Sequence, residues 1–195
     1  MRIDRRSFIA AAGLALACPR AAFALDIAAT GSSLPDKAMG TGAQTLYVYM
    51  SMGCPSCAEF HRKTIAEVRR VLADAGRLRI VYREFPLDGR SYAAAMLARQ
   101  AGDRYFEALD LLFAEQAFWM QAKDSGSAFR TLAARLGLPP GIVGTVATDR
   151  PLFDGIAAIR KHAIALGVSG TPTLFVQGEM YEGGLPAPVL ISRFG

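Results

Sequence analysis

The chain has 195 residues, of which 52% are hydrophobic and 20% charged, and this composition excludes a disordered chain and is typical of a globular domain. No apolar run reaches the roughly 18–20 residues that a membrane-spanning helix needs. The formal net charge of +5 is concentrated at the N-terminus, because residues 1–24 hold four arginines against one aspartate. The remainder is nearly neutral and gives no electrostatic reason to expect nucleic-acid binding.

The first 24 residues have the order of an export signal. The pair Arg5-Arg6 precedes an apolar stretch over residues 8–17, and Ala22-Phe23-Ala24 follows as a small-x-small cleavage site. The two arginines and the residues after them also resemble a twin-arginine motif. We therefore predict that residues 1–24 are an export signal cleaved near Ala24, through the twin-arginine route or, as the alternative, the general secretory route.

Cys18 lies inside this predicted signal. The residues before it match a lipoprotein processing site only loosely, because the expected large apolar residue falls one place off. Lipidation stays an alternative, and otherwise Cys18 is removed with the signal. The remaining cysteines are Cys54 and Cys57. Two cysteines separated by only two residues, in an oxidising compartment, are typical of a dedicated redox pair.

The first elements after the signal follow from composition and periodicity. Residues 25–43 are rich in small and polar residues and are predicted to be a flexible lead-in. Residues 45–50 form a short β-rich run that predicts a buried strand. Apolar residues then recur at steps of three and four, which predicts a helix from Cys54 to Ala75, ended by Gly76. A second strand is predicted over Leu78–Phe85.

Only helical patterning is present between residues 91 and 166, with glycines and prolines separating the segments. The predicted helices cover residues 91–101, 103–116, 127–136, 141–148 and 151–166. A hairpin about Gly178 and a short final helix near Pro186 follow. The order predicts an α/β domain over residues 44–195, with a helical insertion at about residues 88–150 between the two halves of a small sheet.

The cysteine pair lies where the first predicted helix begins. Disulfide exchange uses a thiolate as nucleophile, and the free N–H groups at a helix start favour negative charge on Cys54. Pro55 suits the first helical position, because the N–H that proline lacks has no partner there. With Ser56 it forms the two-residue spacer that brings the sulfurs within bonding distance. We expect Cys54 to be the exposed, attacked sulfur and Cys57 the more buried, resolving sulfur.

Two other uses of the pair remain open. A zinc site needs about four ligands, and the only further candidates of the usual type are His61 and His162, so we expect no metal. A purely structural disulfide would close a tiny loop and constrain the unfolded chain very little. The position of the pair between a buried strand and an amphipathic helix favours the redox interpretation, which needs no cofactor.

A second motif precedes the predicted strand at residues 173–177. Proline does not fit inside a central strand, so Pro172 in Gly170-Thr171-Pro172 marks the start of that strand. A cysteine pair after an apolar strand, combined with Thr-Pro before the next-to-last strand, resembles the thioredoxin superfamily. The helical block and the segment Arg83-Glu84-Phe85-Pro86-Leu87 resemble its bacterial DsbA-like branch. The resemblance covers roughly residues 43–194.

This resemblance implies a thioredoxin fold with a helical insertion and a thiol:disulfide oxidoreductase in the periplasm. The protein would exchange its disulfide with cysteines of exported proteins, as an oxidase, and a membrane protein would restore the redox state of the pair. The resemblance also implies a cis Thr171–Pro172 bond facing the cysteines, with the backbone of Thr171 pairing with an extended substrate segment. We expect a monomer without nucleic-acid partners.

Two other functions stay open. A periplasmic reductase or isomerase of the same fold is one, since isomerase-type relatives also carry threonine at the position of Thr171. Such isomerases usually have a long N-terminal dimerisation region, for which residues 25–43 are too short. The other is a thiol-based metal-binding or chaperone module that uses Cys54 and Cys57 as ligands.

Two positions depart from the family pattern. Thioredoxin-like proteins usually carry a buried acidic residue six positions before the first cysteine, where this chain has Val48. Glu84 in the next strand is a candidate substitute as a proton shuttle, and the alternative is an exposed or ion-paired glutamate. Ser56 stands where strongly oxidising DsbA proteins often have histidine, so we expect a milder oxidant.

Two further features near the pair have a structural and a functional interpretation. His61 is expected to be a partly exposed histidine on the helix surface, and the alternative is a cation that lowers a thiol pKa. The cluster Phe118-Trp119-Met120 is expected to pack in the core of the helical block, and the alternative is the lining of a hydrophobic substrate groove.

Overall fold

The apolar runs of the sequence pair into one five-stranded sheet in the computed structural model, which describes residues 26–195. The strands are β1 (Lys37–Met39), β2 (Gln44–Met50), β3 (Leu78–Glu84), β4 (Thr173–Val176) and β5 (Glu179–Glu182). Their order is β1-β3-β2-β4-β5, with β2 and β3 parallel and the other neighbours antiparallel. The predicted export signal, its cleavage site near Ala24, and Cys18 lie outside the described residues.

The first helix is the crossover that the parallel pair β2 and β3 requires. It consists of α1 (Pro55–Phe60), a π-helical segment (His61–Ile65), α2 (Ala66–Val68) and a second π-helical segment (Arg69–Ala73). Gly76 follows the helix with a φ of +70°. This left-handed conformation lets the Arg77 N–H donate to the Leu72 carbonyl at 2.8 Å, so the predicted glycine stop is present.

Between β3 and the long helix that precedes β4, residues 85–149 form five α-helices and one short 3-10 helix (Gly102–Arg104). The five α-helices are α3 (Gly89–Gln100), α4 (Tyr105–Ala114), α5 (Gln116–Met120), α6 (Ser125–Arg135) and α7 (Ile142–Thr148). The chain continues with α8 (Arg150–Ala165) and α9 (Ala187–Phe194). Asp88, Asp124 and Asp149 cap α3, α6 and α8 by accepting backbone N–H groups. The predicted α/β fold class with a helical insertion is confirmed.

Both faces of the sheet are covered, and the side chains of β2 alternate between them. Leu46 and Val48 belong to the larger hydrophobic core, which includes the first helix, α9 and the insertion. Tyr49 lies in a smaller core with Phe175 of β4 and Ala163 of α8. α8 contacts both cores, because it contributes Ile156 to the larger one and Ala163 to the smaller one. The cysteine turn follows the C-terminal end of β2.

The structure differs from the prediction that residues 25–43 form a flexible lead-in. β1 pairs antiparallel with β3, and the chain before β1 surrounds the side chain of Arg83. Arg83 donates to the carbonyl groups of Ile27 and Ala28 and forms an ion pair with Asp36 at 2.8 Å. A fully buried guanidinium requires such partners. Local composition does not show them, because they lie about fifty residues away along the chain.

Candidate functional site

The cysteine turn presents its two sulfurs to different environments. Cys54 has extended backbone (φ −83°, ψ 121°) immediately before α1, and Pro55 takes the first helical position. Cys54 is partly buried, Pro55 and Ser56 are exposed, and Cys57 has no exposed surface. Both thiols are free. The structure thus places an accessible sulfur before a buried one, in the order the sequence predicted, while the roles of attacked and resolving sulfur stay predictions.

The two thiols have opposite pKa shifts. The pKa of Cys54 is lowered to about 5. The hydrogen bond from the Cys57 side chain contributes most, and hydrogen bonds with Thr171 and with the backbone N–H groups of Cys57 and Ser56 add to it, against the raising effect of partial burial. Burial raises the pKa of Cys57 far above the ordinary thiol value of ~8.5, and its hydrogen bond to Cys54 raises it more. At neutral pH the pair therefore consists of a Cys54 thiolate and a Cys57 thiol.

The Thr171–Pro172 loop lies against this turn. The Thr171–Pro172 peptide bond is cis, and Pro172 is buried directly before β4. Cys54 Sγ lies 3.4 Å from the Thr171 carbonyl oxygen, which can accept a hydrogen bond from the sulfur only when Cys54 is protonated. The fold thereby brings together two motifs that lie 117 residues apart in the sequence. The substrate-binding role of Thr171 and Pro172 remains a prediction.

Gln116 holds the cysteine turn from the start of α5, and the sequence analysis missed it. Its side-chain Nε2 donates to the carbonyl oxygens of Met52 at 2.7 Å and Cys54 at 3.0 Å. These carbonyls flank Gly53, at the end of the turn where the chain enters the first helix. A lone glutamine in a helical block has no motif around it, so local sequence carries no signal for this contact.

Gly53 allows the insertion to pack closely on the turn. A Cβ atom at this position would collide with the Ser91 hydroxyl oxygen of α3 and lie 3.2 Å from Met120 Sδ. A side chain at position 53 would therefore require at least the Ser91 hydroxyl to move.

Only part of the Phe118-Trp119-Met120 cluster lies in the core of the insertion, and its role in a substrate groove stays a prediction. Trp119 is fully buried, and its Nε1 donates to the Leu112 carbonyl at 2.8 Å, so it packs in the core of the insertion. Phe118 is 47% exposed, and Met120 is the partly buried residue beside Gly53. Leu87, just after β3, is 52% exposed. Leu87 and Phe118 are thus exposed apolar side chains close in sequence to Asp88 and Met120, which approach Gly53 of the cysteine turn.

Glu84 is an ion-paired residue, which is the alternative that the sequence left open. Its carboxylate accepts two hydrogen bonds from Arg99 of α3, at 2.7 and 2.8 Å, and one from the Tyr105 hydroxyl at 3.1 Å. Glu84 and Arg99 are both nearly fully buried. Within residues 26–195 no hydrogen bond joins Glu84 to either cysteine, so its contacts favour a structural role over a proton shuttle.

The expectation that His61 is partly exposed is wrong. His61 is buried, and both ring nitrogens have partners: Nδ1 lies 2.5 Å from the Tyr82 hydroxyl and Nε2 lies 2.6 Å from Asp110 Oδ1. The ring also packs on Phe113 at a centroid distance of 4.8 Å. Asp110 and Phe113 belong to the insertion. Because the pattern of the first helix contains no information about the insertion, it predicts an exposed residue at position 61.

The described part of the chain contains neither a metal-binding cluster nor a membrane-spanning helix. Residues 26–195 contain no group of three or more His, Cys, Asp or Glu residues placed to hold a metal ion. The same residues form no helix that is both long and apolar enough to cross a membrane.

Known proteins resemble this chain in sequence and in fold. The family model described as thioredoxin matches residues 40–187. A Rickettsia prowazekii protein named as a candidate protein-disulfide oxidoreductase is 27% identical over 137 residues, which are 69% of this chain and 50% of that protein. The chain thus spans about half the length of the curated relatives it matches.

Two solved structures share the fold. Wolbachia pipientis α-DsbA1 superposes with a TM-score of 0.74 at 24% sequence identity, over 83% of this chain and 92% of that one. A protein-disulfide isomerase from Novosphingobium aromaticivorans has a TM-score of 0.68 at 20% identity, over 83% of this chain and 99% of that one. At these identities the likeness concerns the fold alone.

Proposed function

We propose that this chain, which belongs to the thioredoxin family, is a DsbA-type thiol:disulfide oxidoreductase whose redox centre is Cys54-Pro55-Ser56-Cys57. One observation carries the proposal: a Cys54 thiolate with a pKa of about 5 lies beside a buried Cys57 thiol, and both face the cis Thr171–Pro172 loop. A stabilised thiolate next to a second thiol is what disulfide exchange requires.

The proposed direction is oxidation of the substrate. Lowering the pKa of Cys54 stabilises the reduced protein, and a dithiol that is stable when reduced has a disulfide that is strongly oxidising. Ser56 contributes only a hydroxyl between the cysteines, so we expect a milder oxidant than DsbA. A reductase would need the opposite balance, with a disulfide more stable than the dithiol.

The proposed substrates are cysteine-containing exported proteins. A substrate segment would lie in extended form along Thr171, adding backbone hydrogen bonds beside Cys54. The exposed side chains of Leu87 and Phe118 offer apolar contact for an unfolded chain. Such contacts are tolerant of sequence, which suits an enzyme that acts on many substrates. No described residue singles out one substrate.

The proposed site of action is the periplasm, reached through the export signal at residues 1–24, where the protein would act as a monomer. After each transfer the Cys54–Cys57 dithiol must pass the two electrons taken from the substrate to an acceptor. We propose a membrane redox protein as that acceptor. The same partly exposed Cys54 sulfur would serve both partners, because Cys57 has no accessible surface.

The equilibrium between the Cys54–Cys57 disulfide and glutathione tests this proposal. We expect a reduction potential between about −180 and −120 mV, the values of protein disulfide isomerase and DsbA. The protein should also oxidise a reduced, unfolded substrate, and Cys54→Ser, the matched control, should not. A potential near the −270 mV of thioredoxin would instead support a reductase. Faster repair of scrambled disulfides than oxidation of dithiols would support an isomerase.

A further inference from the structure

The cysteine turn contains a residue of the most flexible type directly before Cys54. Gly53 has no side chain, and a glycine loses more conformational freedom on folding than any other residue. A larger residue does not fit here without a shift of its neighbours, because a Cβ atom would collide with the Ser91 hydroxyl oxygen of α3. Close packing thus requires a glycine at this position, and the turn needs other contacts to restrict its backbone.

The Gln116 side chain supplies such contacts on both sides of Gly53. Within its own turn, Cys54 makes local contacts, such as the hydrogen bond from the Ala58 N–H to the Cys54 carbonyl at 3.1 Å. Gln116 Nε2, from a distant part of the chain, donates to the Met52 carbonyl at 2.7 Å and to the Cys54 carbonyl at 3.0 Å. Among the hydrogen bonds of residues 26–195, no other side chain binds both residues that flank Gly53.

The chemistry of a glutamine amide suits this bridge. Both partners are carbonyl oxygens, which accept and cannot donate, so the NH₂ end of the amide must face them. That end carries two N–H groups, one for each carbonyl. Asparagine is one methylene shorter and cannot span both carbonyls from the same backbone position. Methionine has a similar length but no donor.

The helix that carries Gln116 is itself fixed to the insertion. Trp119 of α5 is fully buried, and its Nε1 donates to the Leu112 carbonyl of α4 at 2.8 Å. At the end of α5, the Met120 carbonyl accepts a hydrogen bond from Arg90 of α3. The amide of Gln116 therefore starts from a support that is packed and hydrogen-bonded independently of the cysteine turn.

We propose that Gln116 is a positioning residue of the redox centre: by bridging the Met52 and Cys54 carbonyl groups, it fixes the turn so that the Cys54 sulfur stays against the N–H groups that open α1. Within residues 26–195 no hydrogen bond joins Gln116 to either sulfur, so it acts through the backbone. The inference rests on the proposed function, in which Cys54 is the sulfur that exchanges with substrate.

Loss of the bridge should make the Cys54 thiolate less stable. The hydrogen bond from Cys57 Sγ and those from the backbone N–H groups of Cys57 and Ser56 lower the pKa of Cys54 to about 5, and they act only while the sulfur is close. Without the bridge, Gly53 would let Cys54 leave its extended conformation (φ −83°, ψ 121°) in a larger fraction of molecules. The reduced protein would then be less stabilised, and its disulfide would be a weaker oxidant.

Two neutral variants remove the bridge in different ways and test the proposal. Gln116→Met removes the donors, and Gln116→Asn shortens the amide. In both, the thiolate absorbance of the reduced protein should titrate about one pH unit above that of the wild type, because one pKa unit is close to the net free energy of a typical hydrogen bond. Gln121→Met is the matched control and should titrate like the wild type, since Gln121 is exposed just after α5.

The equilibrium with glutathione gives an independent readout. The reduced protein and oxidised glutathione form the Cys54–Cys57 disulfide and two molecules of reduced glutathione, so the thiols of the protein are oxidised and glutathione is reduced. At pH 7 we expect this reaction to be about tenfold more favourable in the two Gln116 variants than in the wild type. A tenfold change corresponds to a potential lower by about 30 mV.

A role limited to anchoring the insertion would give a different result. Both Gln116 variants would then lower the free energy of unfolding and leave the titration midpoint and the glutathione equilibrium unchanged. That result would overturn the proposal, and so would equal shifts in Gln121→Met and the Gln116 variants. If Gln116→Met does not fold, Gln116→Asn decides by the same criteria.

The positioning role and the proposed function fail separately. If the wild type oxidises no reduced protein substrate while the Gln116 variants still shift the midpoint, the oxidase function is wrong and the positioning role stands. If the wild type is an oxidase and the Gln116 variants titrate like Gln121→Met, the positioning role is wrong and the function stands.

Discussion

Cys54 and Cys57 are separated by two residues, yet their thiols differ in the property that controls disulfide exchange. Cys54 sits at the start of a helix, where N–H groups and a neighbouring thiol stabilise its anion. Cys57 is one turn further into the protein and faces the hydrophobic core. A difference of one helical turn therefore decides which sulfur is reactive and which is protected.

The largest contribution to the low pKa of Cys54 is the hydrogen bond from Cys57, and two variants isolate it. Cys57→Ser keeps a hydroxyl donor, whereas Cys57→Ala removes the donor. We expect the thiolate absorbance of Cys57→Ser to titrate with a midpoint near 5, and that of Cys57→Ala at clearly higher pH. Equal midpoints in the two variants would show that the helix start alone sets the pKa.

The same shift makes the stability of the reduced protein depend on pH. The pKa of Cys54 is about 5 in the folded state and ~8.5 when unfolded, so the unfolded chain binds more protons between these values. We compare the free energy of unfolding of the wild type with that of Cys54→Ser. The difference should rise from about pH 5 to about pH 8.5 and stay constant at higher pH. As the pH falls through 5, the stabilisation by the Cys54 thiolate should be lost. Denaturant unfolding under reducing conditions measures it, and parallel pH curves would contradict it.

The difference in exposure also predicts which variant traps a substrate. In Cys57→Ser the mixed disulfide between Cys54 and substrate has no resolving thiol and should accumulate. In Cys54→Ser the remaining thiol is buried and should trap nothing. Non-reducing gels of periplasmic extracts show the adducts. The opposite pattern would exchange the roles of the two cysteines.

The helical insertion is attached to the sheet by a buried ion pair rather than by apolar contacts alone. Glu84 lies at the end of β3, and its partners Arg99 and Tyr105 belong to α3 and α4. Since β2 and β3 end at the same edge of the sheet, this contact also orients the helices that face the cysteines. Gln116 of α5 then reaches the cysteine turn itself.

Replacing Glu84 tests whether it is structural. Glu84→Gln leaves the buried Arg99 guanidinium without a counter-charge, which we expect to lower the free energy of unfolding by about 3 kcal/mol. The rate at which Cys57 resolves a mixed disulfide should stay close to that of the wild type. A variant of unchanged stability with slow resolution would instead identify Glu84 as the proton shuttle.

Across the whole molecule, the segment before β2 is part of the domain. Arg83 is enclosed by Asp36, by backbone carbonyls of the segment, and by the rings of Tyr47 and Tyr49, with a centroid distance of 4.7 Å to Tyr47. This cluster lies on the face of the sheet on which the C-terminal part of α8 packs. A segment with little apolar character is thus held in place by a charge in the sheet.

Removing the charge of Asp36 should therefore destabilise the whole domain. Asp36→Ala leaves Arg83 buried and unpaired, and we expect a loss of about 3 kcal/mol in denaturant unfolding. Asp154→Ala is the matched control, because its pair with Arg150 is exposed and should contribute less than about 0.5 kcal/mol. Similar small effects in both variants would mean that the segment contributes little to stability.

The features that the sequence determined by itself are those set by neighbouring residues. The cysteine spacing, the helix that ends at Gly76, the strands over β2 and β3, and the position of Pro172 before a strand all follow from periodicity or from restrictions on the backbone. These constraints act within a few residues, so they are visible along the chain without knowledge of the fold.

Only the tertiary structure decided the partners of the polar side chains. The burial of His61 between Tyr82 and Asp110, the ion pair of Glu84, and the contact of Gln116 with the cysteine turn join residues 15 to 64 positions apart. Sequence pattern predicts how polar a position is, but not which group it meets. A buried polar atom needs a specific partner, and only the folded arrangement of distant segments determines which group that partner is.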